Sequence, residues 1–112
     1  MNIEEYDPII SVPCSKFKHL INDDWIMATS EFEAIMMAAG FAASGKKPLV
    51  FLQNSGIGDI LDPMTSFLKV VGLEIPLVIS HRGGPDDAKH HQIMGSLDFQ
   101  ILGLINAEYR FY

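Results

Sequence analysis

Apolar and polar residues fall along this chain in blocks. Four short, mostly apolar runs stand out: Ile9-Ile10-Ser11-Val12, Trp25-Ile26-Met27-Ala28, Leu49-Val50-Phe51-Leu52 and Pro76-Leu77-Val78-Ile79-Ser80. Runs this short, without alternation, are the pattern of strands buried on both faces. Pro13 closes the first run and Pro48 opens the third, because proline cannot donate to a sheet ladder. Between them the period changes to that of a helix: from Glu31 onward, Ala34, Ile35, Ala38, Ala39 and Ala42 fall on one face, with Gly45 placed to end the helix. A tight turn, Asn54-Ser55-Gly56-Ile57-Gly58, leads to a second helix over Asp59 to Val71, with Pro63 expected in its first turn. A polar loop from His81 to Lys89, a helix over His91 to Leu104 and a final strand over Ala107 to Phe111 complete the chain, and Ser15 is placed to cap a short helix after the first strand.

Strands alternating with helices at short spacing predict an α/β fold, an open and mainly parallel sheet with helices on both faces and right-handed crossovers. The length of 112 residues predicts one domain. In such sheets ligands bind at the carboxyl ends of the strands. Four segments converge there: Pro13-Cys14-Ser15, Ser30-Glu31, Gln53 to Gly58, and His81 to His91.

Composition narrows the partners. A formal net charge of −6 with only 8 Lys and Arg leaves no basic stripe for nucleic acid. No apolar run reaches the about 18 residues of a membrane span, and the acidic start is unlike a signal peptide, so no membrane contact and a cytoplasmic location are expected. A hydrophobic share of 48% exceeds what a small isolated domain needs, which points to contact with another subunit. Cys14 is the single cysteine, so it forms no internal disulfide and makes a poor metal site.

The chemistry centres on two acids. Ser30 and Glu33 have the spacing of a capping box, in which the serine accepts from the third helical amide and the glutamate reaches back to the cap residue. Glu31 lies between them, and by local chemistry alone it either complements the helix dipole or faces a ligand.

The four segments together resemble the pyrimidine-binding domain of thiamine-diphosphate-dependent decarboxylases, most closely phosphonopyruvate decarboxylase and the alpha subunit of sulfopyruvate decarboxylase. The resemblance runs from Ile10 to Phe111. It is carried by Val12-Pro13-Cys14-Ser15, by Glu31, Glu33 and Ala34 with the nine-residue step to Gly40, by Gly45-Lys46-Lys47-Pro48, by Gln53-Asn54-Ser55-Gly56-Ile57-Gly58, by Asp62-Pro63-Met64-Thr65-Ser66, by Ile79-Ser80-His81-Arg82-Gly83, and by His91 four residues before Gly95. The resemblance implies that Glu31 is the catalytic glutamate that hydrogen-bonds N1′ of the aminopyrimidine, with Gln53, Asn54, Ser55 and Gly56 also on the cofactor side. It implies His91 as a proton-transfer group, with a solvated loop histidine as the other reading. On the substrate side it implies Ser15, His90 and Arg82. Ser15 serves equally as a helix cap, and His81 with Arg82 either receives an anionic tail or braces the loop.

Two departures from the family bear on what the chain does alone. No Gly-Asp-Gly with a downstream Asn cluster occurs, so the diphosphate and its Mg²⁺ are expected on a partner subunit and no metal is assigned to this chain. Relatives extend further at both ends, so the domain is expected to be a shortened one. The implied function is that of a pyrimidine-binding subunit of a carboxy-lyase, inactive alone. It would pair with a diphosphate-binding chain and with a second copy of itself to decarboxylate a small anionic 2-oxo acid such as sulfopyruvate or phosphonopyruvate. The alternative is a non-catalytic remnant that keeps the fold as an interaction module. A stand-alone nucleotide-binding protein is disfavoured, because the glycine-rich turn lacks the lysine of a phosphate loop.

Overall fold

In the computed structural model, which describes residues 2–112, the apolar runs become five strands: β1 (Ile9–Ser11), β2 (Ile26–Met27), β3 (Leu49–Gln53), β4 (Leu77–Ser80) and β5 (Tyr109–Phe111). They form one sheet in the order β2-β1-β3-β4-β5, every neighbouring pair parallel. Single ladder bonds continue past the ends of the shortest strands. Val12 N–H donates to the Phe51 carbonyl at 3.1 Å and Ala28 N–H to the Ser11 carbonyl at 2.9 Å. These bonds carry Pro13 to Ser15 and Thr29 to Glu31 to the same edge of the sheet.

Alternation along each strand divides the core in two. Ile10, Val50, Leu52, Leu77 and Ile79 face α1 (Glu31–Ala43), α2 (Ile57–Asp62) and α4 (Lys89–Leu104), which contribute Ala34, Ile35, Ala38, Ile57, Ile60 and Leu102; the short α3 (Lys69–Val71) buries none of its residues. Leu49, Phe51 and Val78 face the other way and are covered by Phe17 and Trp25, with Ile3, Tyr6, Leu20 and Ile21 packed around them. Helices therefore lie on both faces, but of different kinds. The α-helical contribution to the core lies on one face, and the other face is covered by 3-10 turns at Ile3–Glu5 and Lys18–Leu20 with the chain between them. The physical reason is aromatic: Phe17 and Trp25 lie against Phe51 at centroid distances of 5.3 and 4.8 Å, so two large rings cover the area that an α-helix would.

Two local expectations change with this. The turn at Lys18–Leu20 starts after Phe17 with no side-chain cap, so Ser15 caps nothing and is exposed. The second helix starts at Ile57, so Pro63 stands after its first turns and not within them. A missing amide there would break an α-helical ladder, and the helix accommodates it by widening into a π-helical segment over Pro63–Leu68 before α3. Helix α4 begins two residues earlier than expected, at Lys89.

Candidate functional site

The first turn of α1 separates its two acids. Ser30 is extended and its Oγ accepts from Glu33 N–H at 3.1 Å. Glu33 returns the contact one residue further back than expected: Oε1 accepts from Thr29 N–H at 2.9 Å and Oε2 from the Thr29 hydroxyl at 3.2 Å. Thr29 offers two donors where the Ser30 amide offers one, which is why the carboxylate reaches past the cap residue. With these donors taken by Glu33, the half-buried carboxylate of Glu31 accepts nothing from the described residues. It lies instead against the backbone at Gly56. A Cβ at that position would stand 2.6 Å from Glu31 Cδ and 2.7 Å from Oε1, so only glycine leaves room for the carboxylate.

Gly56 belongs to a 3-10 turn, Asn54–Gly56, that follows β3 directly. Gln53 at the strand end donates from Nε2 to Ser55 Oγ at 2.8 Å and accepts from Arg82 at 3.4 Å. Asn54 is turned inward. Its Nδ2 donates to the Arg82 carbonyl at 2.8 Å and to Asp98 Oδ2 at 3.0 Å, and because both neighbours are acceptors its Oδ1 stays buried without a partner. Asn54 thus ties β3 to the loop after β4, and its amide nitrogen is not open to a ligand.

At the centre of that loop lies a tight ion pair. Arg82 grips Asp87 through two parallel bonds of 2.8 Å from Nε and Nη2, the geometry that suits a planar guanidinium to a carboxylate. The hydrogen bond to Asp87 raises the Arg82 pKa above its ordinary value. The Arg82 guanidinium, and after it the Gly83 amide at 3.0 Å, hold the Asp87 carboxyl well below the usual carboxylate range. At Gly83, with φ +110°, the loop rests on α4: a Cβ there would meet the His91 carbonyl and stand 2.8 Å from Gly95 Cα, while one on Gly95 would stand 2.5 Å from the Arg82 carbonyl. The four-residue step from His91 to Gly95 therefore marks a close backbone contact on one helix face. His91 is 9% exposed and its ring lies 4.1 Å from that of the exposed His90.

A cleft of about 540 Å³ opens between the segment after β1 and this loop, lined by Ser15, Lys16, His81, Arg82, Gly84, Pro85, Asp86 and Asp87. Of the substrate-side expectations it gathers Ser15 and Arg82, whereas His90 and His91 lie outside its lining. Gln53 reaches it through Arg82, and Ser55 and Gly56 continue the line to Glu31. Two residues in this region escaped the sequence reading. Lys16 stands in the cleft and donates from Nζ to the His81 carbonyl at 2.8 Å. Asp98 is 0% exposed and its Oδ2 lies 2.5 Å from His81 Nδ1. Asp98 had a signal: it follows His91 and Gly95 by helical steps and precedes Leu102 by another, so it falls on the inward stripe of α4, where an acid requires a partner.

Similarity to known proteins fits this arrangement. No protein-family model matches the chain. The sulfopyruvate decarboxylase subunit alpha of Methanocaldococcus jannaschii is 42% identical over 84 residues, covering 69% of this chain and 50% of that protein. The subunit of the same name from Methanothermobacter thermautotrophicus is 30% identical over 112 residues, covering 93% of this chain and 68% of the relative. The chain belongs to the sulfopyruvate decarboxylase alpha-subunit family. Beyond the alpha subunits the likeness extends to a larger protein: the phosphonopyruvate decarboxylase of Streptomyces hygroscopicus is 32% identical over 111 residues, which cover 90% of this chain and 27% of that protein. The chain spans about half the length of the M. jannaschii alpha subunit. Among the described residues no helix is long and apolar enough to cross a membrane, and no three His, Cys, Asp or Glu side chains converge as a metal site.

Proposed function

We propose that this chain is the pyrimidine-binding subunit of a thiamine-diphosphate-dependent 2-oxo acid decarboxylase of the sulfopyruvate or phosphonopyruvate type, active with a separate diphosphate-binding subunit. The observation that carries the reading is the carboxylate of Glu31, relieved of capping by Glu33 and lying against Gly56 at the carboxyl edge of the sheet. The names of the relatives, which describe an alpha subunit, support a partner chain. That partner would hold the diphosphate and its Mg²⁺, and a second copy of this chain would complete the assembly.

The donor set fits the aminopyrimidine. A half-buried carboxylate without a partner is an acceptor for a ring nitrogen that carries a proton, and accepting that bond removes the cost of leaving the charge unpaired. When bound, thiamine diphosphate supplies the electron sink for loss of carbon dioxide from a 2-oxo acid. Glu31 then holds the N1′ proton, Gly56 keeps the carboxylate in place, and Gln53 with Ser55 offers polar groups beside it. Asn54 acts through the loop it braces. On the substrate side Ser15 and Arg82 line the cleft, and the ammonium of Lys16 adds a cation not engaged with any carboxylate among the described residues. His90 stays exposed beside His91, and the proton-transfer role expected of His91 competes with a histidine on the cleft wall.

The test is reconstitution with a diphosphate-binding subunit carrying Gly-Asp-Gly, thiamine diphosphate and Mg²⁺. Neither chain alone releases carbon dioxide from sulfopyruvate or phosphonopyruvate, and the mixture does. Glu31→Gln abolishes most turnover. Full activity of that variant sinks the assignment.

A further inference from the structure

Asp98 poses the question that the proposed function leaves unanswered. A carboxylate with no exposed surface costs several kcal/mol to bury unless it is paired and hydrogen-bonded, and within α4 it accepts only from the adjacent Phe99 N–H, through Oδ1 at 2.7 Å. Its Oδ2 takes two donors, Asn54 Nδ2 at 3.0 Å and His81 Nδ1 at 2.5 Å. An ionised carboxylate can only accept, so Nδ1 is the nitrogen that carries the proton. Nε2 is left without a partner among the described residues. The His81 ring is fixed from other sides as well. The Phe111 ring meets it edge-on at 5.0 Å, and Lys16 Nζ holds its carbonyl at 2.8 Å. Its side chain is 38% exposed and lines the cleft beside Ser15, Lys16 and Arg82. A histidine oriented by a buried acid through one nitrogen, with the other free at a cleft wall, is the arrangement of an acid–base group.

We propose that His81, oriented by Asp98, is the proton-transfer group of the cleft: as an imidazolium it donates through Nε2 to the carbonyl carbon of the 2-oxo acid once carbon dioxide has departed. This rests on the decarboxylase reading. The bond from the carbonyl carbon to the carboxylate breaks, and its electron pair ends in a new C–H bond whose proton comes from Nε2 of the imidazolium, which returns to the neutral Nδ1–H ring. Water returns a proton to the ring. The sum is 2-oxo carboxylate plus one proton giving aldehyde plus carbon dioxide, with no external oxidant or reductant. Asp98 is a positioning residue, since it reaches the substrate only through His81.

Two measurements test this. In ¹⁵N NMR of the chain alone, at a pH where the ring is neutral, His81 is expected as the Nδ1–H tautomer, and Asp98→Asn is expected to shift it to Nε2–H, because the new amide can donate to Nδ1. An Nε2–H tautomer in the native chain overturns the orienting role even if the Asp98 variant fails to fold. In the reconstituted mixture with sulfopyruvate, His81→Asn is expected to lower kcat for aldehyde release by about 10²-fold, with KM changed by less than about threefold and the first equivalent of carbon dioxide still released. Unchanged aldehyde release in that variant overturns the assignment of His81 alone. A native mixture that releases no carbon dioxide overturns the decarboxylase reading itself.

Discussion

The first turn of α1 and the loop between β4 and α4 meet at the same edge of the sheet and handle charge in opposite ways. In α1 one acid, Glu33, donates its amide to the Ser30 hydroxyl and accepts from both donors of Thr29, and its neighbour Glu31 is left with nothing but a glycine beside it. In the loop the inner groups are paired: Arg82 with Asp87, His81 through Nδ1 with Asp98, and Asn54 with both Asp98 and the Arg82 carbonyl. A ligand arriving at Glu31 adds a hydrogen bond where none existed. One that claims the Arg82 guanidinium or the Asp98 carboxylate has first to break a pair whose partner would then be stranded. The contrast separates the two tasks of a site, since the α1 corner offers an acceptor and the loop holds a shape that leaves His81 Nε2 open to the cleft.

The largest effect that would sharpen this contrast is expected at Glu31. Replacing it with Gln should lower carbon dioxide release by the reconstituted mixture at least about 10²-fold while leaving the thermal midpoint of the chain in place. An equal loss of stability would make Glu31 one more structural acid. Gly83→Ala should do the reverse, costing about 3 kcal/mol in urea unfolding, because the new methyl meets the His91 carbonyl in a backbone conformation that side chains disfavour. Gly56→Ala sits between the two: its Cβ collides with a flexible side chain, so about 1 kcal/mol of stability is expected to go together with most of the activity. A variant that keeps full activity would show that the carboxylate does not depend on that glycine. Ser30→Ala should cost about 1 kcal/mol by removing the cap from Glu33 N–H, read as a lowered midpoint. The smallest effect is in acid. Asp87 titrates lower in the folded chain than unfolded, so its contribution is complete above about pH 4 and fades as pH falls further. Asp87→Asn should flatten that limb of the stability profile, and a native profile equally flat below pH 4 would remove the Arg82 pair from the comparison.

Much of this was legible in the residues. The runs of β3 and β4 are buried on both faces and announced parallel strands, whereas Met27 in the second run is 40% exposed at the sheet edge. The spacing of Ser30 and Glu33 marks the capping acid, and the nine-residue step to Gly40 in the family resemblance tells Glu31 apart from it. Other features depend on what folds against what. Pro63 reads as a first-turn residue until the helix is seen to start at Ile57. The cover of the second face comes from Phe17 and Trp25, whose rings meet on Phe51 from positions with no shared period. Asn54 looked like a ligand group by its place after β3, and only the two acceptors behind it turn it inward. Asp98 lay on a readable stripe, but its partner His81 is seventeen residues away in another element, and local spacing does not report such a pairing.

The contact between Gly83 and Gly95 carries a consequence for how this segment can vary. Each glycine occupies the space in which the other's side chain would stand, so neither position is free to change unless the stretch between them is rerouted. Loop and helix start should then be inherited as one cassette: where a relative carries a bulkier residue at either site, an insertion or deletion between them is expected in the same sequence. Residues on its outer side, His90 among them, are free to diverge around that fixed crossing.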